Sequence, residues 1–132
     1  MTTVVVCDAS VLAAVLLDEG PDGRWAADAI DGADLAAPGL LPFEVANVIR
    51  RQELRGTIGA DMAAQAHADL LDLAFDAWPY EAVAGRAWEL RRNLSSYDAA
   101  YVGVAEAIGA PLVTLDRRIA QAPGLRCDVL AP

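Results

Sequence analysis

The stretch TTVVVCDASVLAAVLLDEG (residues 2–20) decides the fold class of the chain. It opens with a run of β-branched residues, which is typical of a parallel strand buried on both faces. The run ends at Asp8, an apolar helix pattern follows, and Gly20 and Pro21 close that helix. A buried strand that passes directly into a helix indicates an α/β domain.

The same alternation of strand and helix continues along the chain. Further strands are predicted over residues 33–38, 74–79, 111–116 and 126–132, the last of them at a sheet edge. Helices are predicted over residues 23–30, 41–56, 59–73, 80–94, 95–109 and 117–122. We therefore expect one domain over residues 1–132, with three α/β/α layers, a central and mostly parallel sheet, and right-handed crossovers.

The charged residues exclude several kinds of enzyme. The 132 residues carry a net charge of −9, all ten basic residues are arginine, and His67 is the single histidine. Without lysine, neither a Walker-type phosphate loop nor a Schiff-base mechanism is available. Carboxylates are the abundant titratable groups, so we expect carboxylate chemistry.

The sequence shows neither a membrane span nor an export signal. No apolar run reaches the ~18 residues that a span needs, and the N-terminus lacks the basic residues of a signal peptide. We expect a cytoplasmic protein that does not associate with membranes. Cys7 and Cys127 lie in separate predicted strands, which favours buried free thiols over a disulfide or a zinc site.

Two aspartates follow buried strands directly. Asp8 ends VVVCD and Asp116 ends LVTLD. Ligands of open α/β sheets bind outside the carboxyl ends of the strands, so both acids would face one crevice if the strands are neighbours. Each aspartate also suits the N-cap of the following helix. For one aspartate alone the two interpretations are balanced, and the pair favours a site.

Two more carboxylates lie in the first turns of apolar helices. Glu44 interacts favourably with a helix dipole there, and Asp98 forms a capping-box pattern with Ser95. Taken singly, both have these structural explanations. Four carboxylates in one crevice would repel one another, and a hard cation between them relieves that repulsion. Mg²⁺ and Mn²⁺ prefer such oxygen ligands.

Three stretches carry a family resemblance: VVVCDASVL (residues 4–12), LPFEVANVIRR (residues 41–51) and SSYDAAYVGVAEAIGAPLVTLDRRI (residues 95–119). Together and in this order, they closely resemble the PIN-domain ribonucleases, specifically the VapC-type toxins of bacterial toxin–antitoxin pairs. The resemblance places the family's acidic quartet on Asp8, Glu44, Asp98 and Asp116. Its supporting polar positions are Ser10, Asn47 and Thr114.

The resemblance implies a metal-dependent endoribonuclease that uses one or two Mg²⁺ or Mn²⁺ ions. A metal-activated water would attack the RNA phosphodiester in line and leave a 5′-phosphate and a 3′-hydroxyl. Asp8, Asp98 and Asp116 are expected as the more direct ligands, and Glu44 as a ligand of a second ion or a guide for the water. The family also implies a homodimer and a VapB-like antitoxin whose C-terminal segment covers the site, often with a basic residue among the carboxylates.

The arginines cluster near these motifs in the sequence. A basic rim around an acidic, metal-filled centre would let an acidic chain bind RNA, whose phosphates attract positive charge. Surface salt bridges with the many acids are the alternative for each arginine. Arg55 and Arg118 belong to the same clusters, and the candidate RNA-binding residues are Arg50, Arg51, Arg91, Arg92 and Arg117.

Other classes of protein fit the pattern less well. A non-catalytic phosphate-binding module of receiver-like α/β fold would use an aspartate at a strand end, but it also needs a late lysine. A haloacid-dehalogenase-like phosphatase would need an aspartate where Ser10 stands. A catalytically silent binding partner is the third alternative, and the intact quartet argues weakly against it. The sequence does not identify the RNA target.

Overall fold

Five parallel strands form the central sheet of the protein, in the order β3-β2-β1-β4-β5. A computed structural model describes residues 2–132. Every neighbouring pair of strands is parallel, which confirms and sharpens the prediction of a mostly parallel sheet. The strands are β1 (Val4–Cys7), β2 (Asp34–Pro38), β3 (Asp76–Trp78), β4 (Leu112–Val113) and β5 (Val129–Leu130).

Seven α-helices, counted over residues 2–132, connect and flank these strands. Pro21 and Pro42 lie in the first turns of their helices, where a missing N–H costs nothing. The helices are α1 (Ala9–Leu17), α2 (Pro21–Ile30), α3 (Leu41–Leu54), α4 (Ala60–Asp72), α5 (Ala84–Glu89), α6 (Ser96–Ile108) and α7 (Arg117–Ala120).

Both faces of the sheet are covered. Val6 and Leu112 belong to a large buried cluster that also takes in residues of α3, α4, α5 and α6. Their strand neighbours Val5, Cys7 and Val113 point the other way, into a smaller cluster with residues of α1 and α2. This alternation explains why β1 is apolar along its length, and it confirms the three-layer prediction.

The strand order also decides against one alternative fold. Receiver-like doubly wound domains have the order 2-1-3-4-5, whereas the order here is 3-2-1-4-5. The lack of lysine and the strand order therefore argue independently against a receiver-like module.

The prediction of one continuous helix over residues 80–94 is wrong. A 3₁₀ turn (Tyr80–Ala82) comes first, and α5 ends at Glu89. Val83 between them has φ −126° and ψ 4°, outside the helical region. Its buried side chain packs against Gly103 of α6, where an added Cβ would lie 2.9 Å from the Val83 Cβ. This close packing accompanies the break in the helix.

Both cysteines are free, as predicted, but only Cys7 is buried: Cys127 is partly exposed and lies before β5 rather than in it. Burial raises the pKa of the Cys7 thiol to about 12, so Cys7 is not a reactive nucleophile. Among residues 2–132, no helix has the length and the apolar character that a bilayer crossing requires.

Candidate active site

The ends of β1 and β4 lie side by side. Cys7 pairs with Val113 in the parallel register, and the Asp8 N–H donates to the Val113 carbonyl at 3.2 Å. The chain therefore leaves the sheet at Asp8, beside the segment of β4 that leads to Asp116. The two strands are neighbours, which is the condition under which both aspartates face one crevice.

Asp8 is a buried carboxylate held by hydroxyl groups. Its side chain is 5% exposed. The Ser10 hydroxyl and the Val11 N–H, at 3.2 Å, donate to Oδ1, and the Thr114 hydroxyl donates to Oδ2. Burial raises the pKa of Asp8, and these hydrogen bonds oppose the shift.

The same hydroxyls fix the chain after β4. The Ser10 Oγ accepts from the Leu115 N–H at 3.0 Å, and the Thr114 Oγ1 accepts from the Asp116 N–H at 2.9 Å. Each hydroxyl thus donates to Asp8 and accepts from the backbone near Asp116. The expected supporting positions Ser10 and Thr114 therefore connect the two strand ends.

Asp8 and Asp116 are also helix caps. The Val11 N–H of α1 donates to Asp8, and the Arg118 N–H of α7 donates to Asp116 at 2.9 Å. The N-cap interpretation is confirmed for both residues, and their site role stays a prediction. A capping carboxylate keeps further lone pairs available, so the cap does not exclude a ligand role.

Glu44 is joined to the central helix by a tyrosine. It is half-buried in the first turn of α3, and the Tyr101 hydroxyl donates to its Oε1 at 2.7 Å. Burial raises the pKa of Glu44, the Tyr101 hydrogen bond lowers it, and the charges of Asp98 and Asp8 raise it again. Glu44 therefore lies within electrostatic reach of two other quartet members.

Asp98 keeps its carboxylate free of the cap. The Ser95 hydroxyl accepts from the Asp98 N–H at 3.1 Å, so Ser95 is the N-cap of α6. Within residues 2–132 the reciprocal hydrogen bond of a capping box, from the Ser95 N–H to the Asp98 carboxylate, does not form. Burial and the charge of Asp116 raise the pKa of Asp98, while Arg118 opposes the shift.

Asp116 is the one quartet member with a lowered pKa in the described chain. The hydrogen bonds from Arg118 are the main cause. The guanidinium donates to Oδ2 at 2.7 Å through Nη2 and to Oδ1 at 3.2 Å through Nε. The same Nη2 lies 4.0 Å from an Asp98 oxygen.

Asn47 lies apart from this network. It is exposed on α3, and its side chain forms no hydrogen bond with any part of the described chain. Its supporting role stays a prediction.

The candidate RNA-binding arginines are all exposed. Arg91 lies over the Trp88 ring, with 4.8 Å from the guanidinium carbon to the ring centroid. No ion pair involving any of the five is found in residues 2–132, so the surface salt-bridge alternative does not account for them. The five are Arg50, Arg51, Arg91, Arg92 and Arg117.

Sequence reasoning gave no site role to two residues that contact the quartet. Tyr101 donates a hydrogen bond to Glu44, and Arg118, which the sequence places only among the clustered arginines, pairs with Asp116. Tyr101 follows Asp98 by three positions on one helix, and this spacing is a signal that both side chains share a face. Arg118 follows the capping Asp116 by two positions, but only the folded structure shows where its side chain points.

The donor set suits a hard divalent ion. All four quartet side chains offer carboxylate oxygens, and three of them have raised pKa values, first of all because of burial. Within residues 2–132, no group of three or more His, Cys, Asp or Glu side chains is arranged to hold a metal ion. Mg²⁺ commonly takes one or two carboxylates, with water and substrate phosphates completing its shell, and the quartet fits that kind of site.

A groove lies beside the acidic site, between α1 and the pair α3 and α4. Its volume is about 700 Å³. Ser10 lines one part of it, so the groove adjoins the hydroxyl network of Asp8. Apolar and acidic side chains line the rest, among them Leu17, Val48 and Met62, and Asp18 and Glu19.

Comparison with known proteins identifies the family. Residues 5–125 match the PIN domain profile. The chain is 36% identical to ribonuclease VapC9 of Mycobacterium tuberculosis over 125 residues, which are 95% of each chain. The solved structure of PAE2754 from Pyrobaculum aerophilum has a TM-score of 0.65 and 26% identity, covering 99% of this chain and 92% of that one.

A third similarity concerns the fold. VapBC-5 of Mycobacterium tuberculosis, a member of the VapBC family of toxin–antitoxin systems, has a TM-score of 0.60 and 20% identity, covering 98% of this chain and 97% of that one. The chain therefore belongs to the PIN domain family. Within that family, its sequence relatives are VapC ribonucleases, and the resemblance drawn from the motifs is confirmed.

Proposed function

We propose that the chain is a divalent-metal-dependent endoribonuclease and the toxin of a toxin–antitoxin pair. One observation carries the proposal: in a chain related to ribonucleases, four carboxylates from separate elements lie close enough for their charges to act on one another, and Arg118 reaches both Asp98 and Asp116. Asp8 and Asp116 come from neighbouring strand ends, and Glu44 and Asp98 from the first turns of α3 and α6.

The proposal gives each quartet member a role. Asp8, Asp98 and Asp116 would hold the Mg²⁺ or Mn²⁺ ion, and Glu44 would bind a second ion or orient the attacking water. When bound, the ion supplies activation of that water and neutralises charge on the phosphate. Ser10 and Thr114 fix the Asp8 carboxylate, and Tyr101 holds Glu44 toward the site.

Asparagine variants test the proposal. Purified protein should cleave RNA with Mg²⁺ or Mn²⁺, and EDTA should stop cleavage. Asp8→Asn and Asp98→Asn should each reduce the rate by about 100-fold or more, the loss typical of removing a group that stabilises transition-state charge. Asp28→Asn, at an exposed position of α2, is the matched control and should keep the wild-type rate. Unchanged cleavage by both quartet variants would disprove the metal-site assignment.

The RNA-binding proposal rests on exposed arginines that no acid neutralises. Arg91 and Arg92 lie between α5 and Asp98. Replacing both by alanine should weaken RNA binding and lower the slope of log K against log salt by about 2, because two phosphate contacts are lost. Arg24→Ala on α2 is the control. A salt slope equal to that of the wild type would remove this pair from the RNA-binding surface.

We further propose that the antitoxin's C-terminal segment lies in the groove between α1, α3 and α4. Ser10, whose hydroxyl donates to Asp8, lines the groove, so a segment in it would pass beside that carboxylate. Asp18 and Glu19 suit a basic segment. Met62→Arg, which places a positive charge against a basic segment, should weaken binding of the small protein encoded beside this chain, whereas Met62→Leu should not. Equal affinities of both variants in isothermal titration would place the segment elsewhere.

The chain is proposed to form a homodimer. Large apolar side chains that remain exposed support a further interface, with Leu54 and Leu71 both 70% exposed. Light scattering after gel filtration should give twice the 13.9 kDa chain mass. A mass of one chain at micromolar concentration would contradict the dimer.

A further inference from the structure

Arg118 makes a two-pronged ion pair inside the acidic site. Its Nη2 and Nε donate to different oxygens of Asp116, at 2.7 Å and 3.2 Å. This is the fork geometry in which arginine binds carboxylates best. Both oxygens of Asp116 therefore face a cation that belongs to the chain itself.

Arg118 is also the cation that reaches a second quartet member. Its Nη2 lies 4.0 Å from the Asp98 Oδ2, between two carboxylates that repel each other. No other arginine pairs with the quartet in residues 2–132. The positive charge of Arg118 thus stands near the place where the proposed function requires a divalent ion.

The ion pair between Arg118 and Asp116 is easily displaced. The Arg118 side chain is 82% exposed, and it extends from α7, a helix of four residues. An ion pair this exposed is weak, because water competes for both charges. The N-cap of α7 depends on the Arg118 backbone N–H rather than on its side chain, so α7 keeps its cap when the guanidinium leaves.

We propose that Arg118 is the internal counter-ion of the acidic site, bound to Asp116 until a divalent ion takes its place. The inference rests on the proposed function, since it concerns the same carboxylates. Binding of the ion exchanges a guanidinium for a metal at Asp116. The arginine keeps the quartet from binding metal as tightly as its four carboxylates alone would.

Metal titration tests the exchange. Isothermal titration of the full chain with Mn²⁺ should show about two- to fivefold tighter binding for Arg118→Gln, the factor that corresponds to the energy of an exposed ion pair. Arg117→Gln is the matched control, since it removes the same charge from the same helix but no ion pair. Arg118→Lys, which keeps the charge and loses the fork, should lie between wild type and Arg118→Gln.

A second test compares the melting temperatures of the two variants with and without metal. In EDTA, Arg118→Gln should lower the melting temperature relative to Arg117→Gln, because the quartet loses its counter-charge. In saturating Mn²⁺ the two variants should melt together. A difference that persists in saturating Mn²⁺ would show that Arg118 only stabilises the fold, and would overturn the exchange.

The outcomes separate this inference from the function on which it rests. If wild type binds Mn²⁺ and Arg118→Gln binds it equally or more weakly, the exchange is wrong and the metal-dependent function stands. If Arg118→Gln and Arg117→Gln tighten Mn²⁺ binding equally, the effect reflects the loss of one positive charge anywhere on α7. That result would also overturn the exchange. If neither wild type nor Arg118→Gln binds Mn²⁺, both the exchange and the metal-dependent function fail.

Discussion

At the scale of single residues, two hydroxyl groups fix the Asp8 carboxylate relative to the backbone that follows β4. Thr114 is fully buried, and its hydroxyl donates to Asp8 and accepts from the Asp116 N–H. Ser10 does the same between Asp8 and Leu115. A buried carboxylate is costly unless it is hydrogen-bonded, so these hydroxyls offset part of the cost of burying Asp8.

Thr114→Val should therefore destabilise the protein. The variant keeps the shape of the side chain and leaves the Asp116 N–H and one Asp8 oxygen without a partner, which costs about 1–3 kcal/mol. Thr114→Ser keeps the hydroxyl and should lose less. Urea denaturation of both variants measures the difference, and equal losses would show that the methyl group, not the hydroxyl, is what matters at this position.

The sequence predicts some residues of this site and not others. Asp8 and Asp116 are predictable because the end of a buried strand fixes where the next side chain lies. Glu44 and Asp98 are predictable only through the family resemblance, since each also has a local explanation as a helix-end residue. The Tyr101 hydrogen bond and the Arg118 ion pair depend on side-chain rotamers and on contacts between distant elements, which no local pattern encodes.

The helix α6 combines core and site at the scale of elements. Its residues from Ala99 to Ala105 are all buried, which is why its sequence is apolar on every side. Its first turn carries Asp98, and Tyr101 one turn later holds Glu44 of α3. The rigid packing of this helix thus sets the separation of two carboxylates.

Gly103 lets α6 approach the segment before α5 closely. A methyl group there would lie 2.9 Å from the Val83 Cβ, so Gly103→Ala should cost about 1–3 kcal/mol through overpacking. Thermal unfolding measures the loss. Val83→Gly removes the Cβ that makes this contact together with its methyl groups, and the double variant should lose less than the sum of the single changes. Strict additivity would show that the two side chains do not meet.

The order of strands and helices is predictable at this scale, because buried parallel strands and amphipathic helices have distinct periods. The lengths of the strands are harder to predict. β4 spans only Leu112–Val113, although the apolar run predicts a strand over residues 111–116. The Thr114 N–H still donates to the Leu130 carbonyl of β5, and beyond it the backbone N–H groups of Leu115 and Asp116 bond to the hydroxyls of the site instead. The break at Val83 coincides with a tertiary contact with Gly103, which the sequence of either segment does not reveal.

One ion-pair network ties the end of the chain to the rest of the molecule. Arg86 of α5 binds Glu106 of α6 at 2.6 Å and the Gly124 carbonyl at 2.7 Å. Glu106 also accepts from the Arg126 N–H at 2.7 Å. The segment leading to β5 is thereby held against the helices.

This network should make stability depend on acid pH. Burial alone would raise the pKa of Glu106, but the hydrogen bonds from Arg86 and the Arg126 N–H outweigh it, so the pKa is lowered in the folded protein. Its contribution is present above the unfolded-state pKa of about 4.3 and is lost as pH falls through the lower folded-state value.

Glu106→Gln should therefore be less stable than wild type at pH 7, and the gap should shrink below about pH 4. Glu89→Gln, which removes the more exposed partner of Arg86, is the control and should show a smaller gap at pH 7. Denaturant titrations across this pH range measure both. A gap that stays constant with pH would mean that Glu106 acts by packing rather than by its charge.

The net charge of −9 misleads about function at the scale of the whole molecule. It suggests a chain that avoids nucleic acid, whereas the relatives of the chain are ribonucleases. Fold class and family are predictable from the sequence, because both depend on patterns along the chain. The proposed dimer, the proposed antitoxin-binding groove and the choice of RNA target would depend on the shape of surfaces, and such shapes arise only when distant segments come together.

The position of a divalent ion tests the central claim most directly. Crystals of the full chain soaked with Mn²⁺ should show an anomalous scattering peak in contact with at least two of the four quartet carboxylates. Arg118 should then have left Asp116. The account is contradicted if Mn²⁺ supports RNA cleavage in solution but its peak lies away from Asp8, Glu44, Asp98 and Asp116.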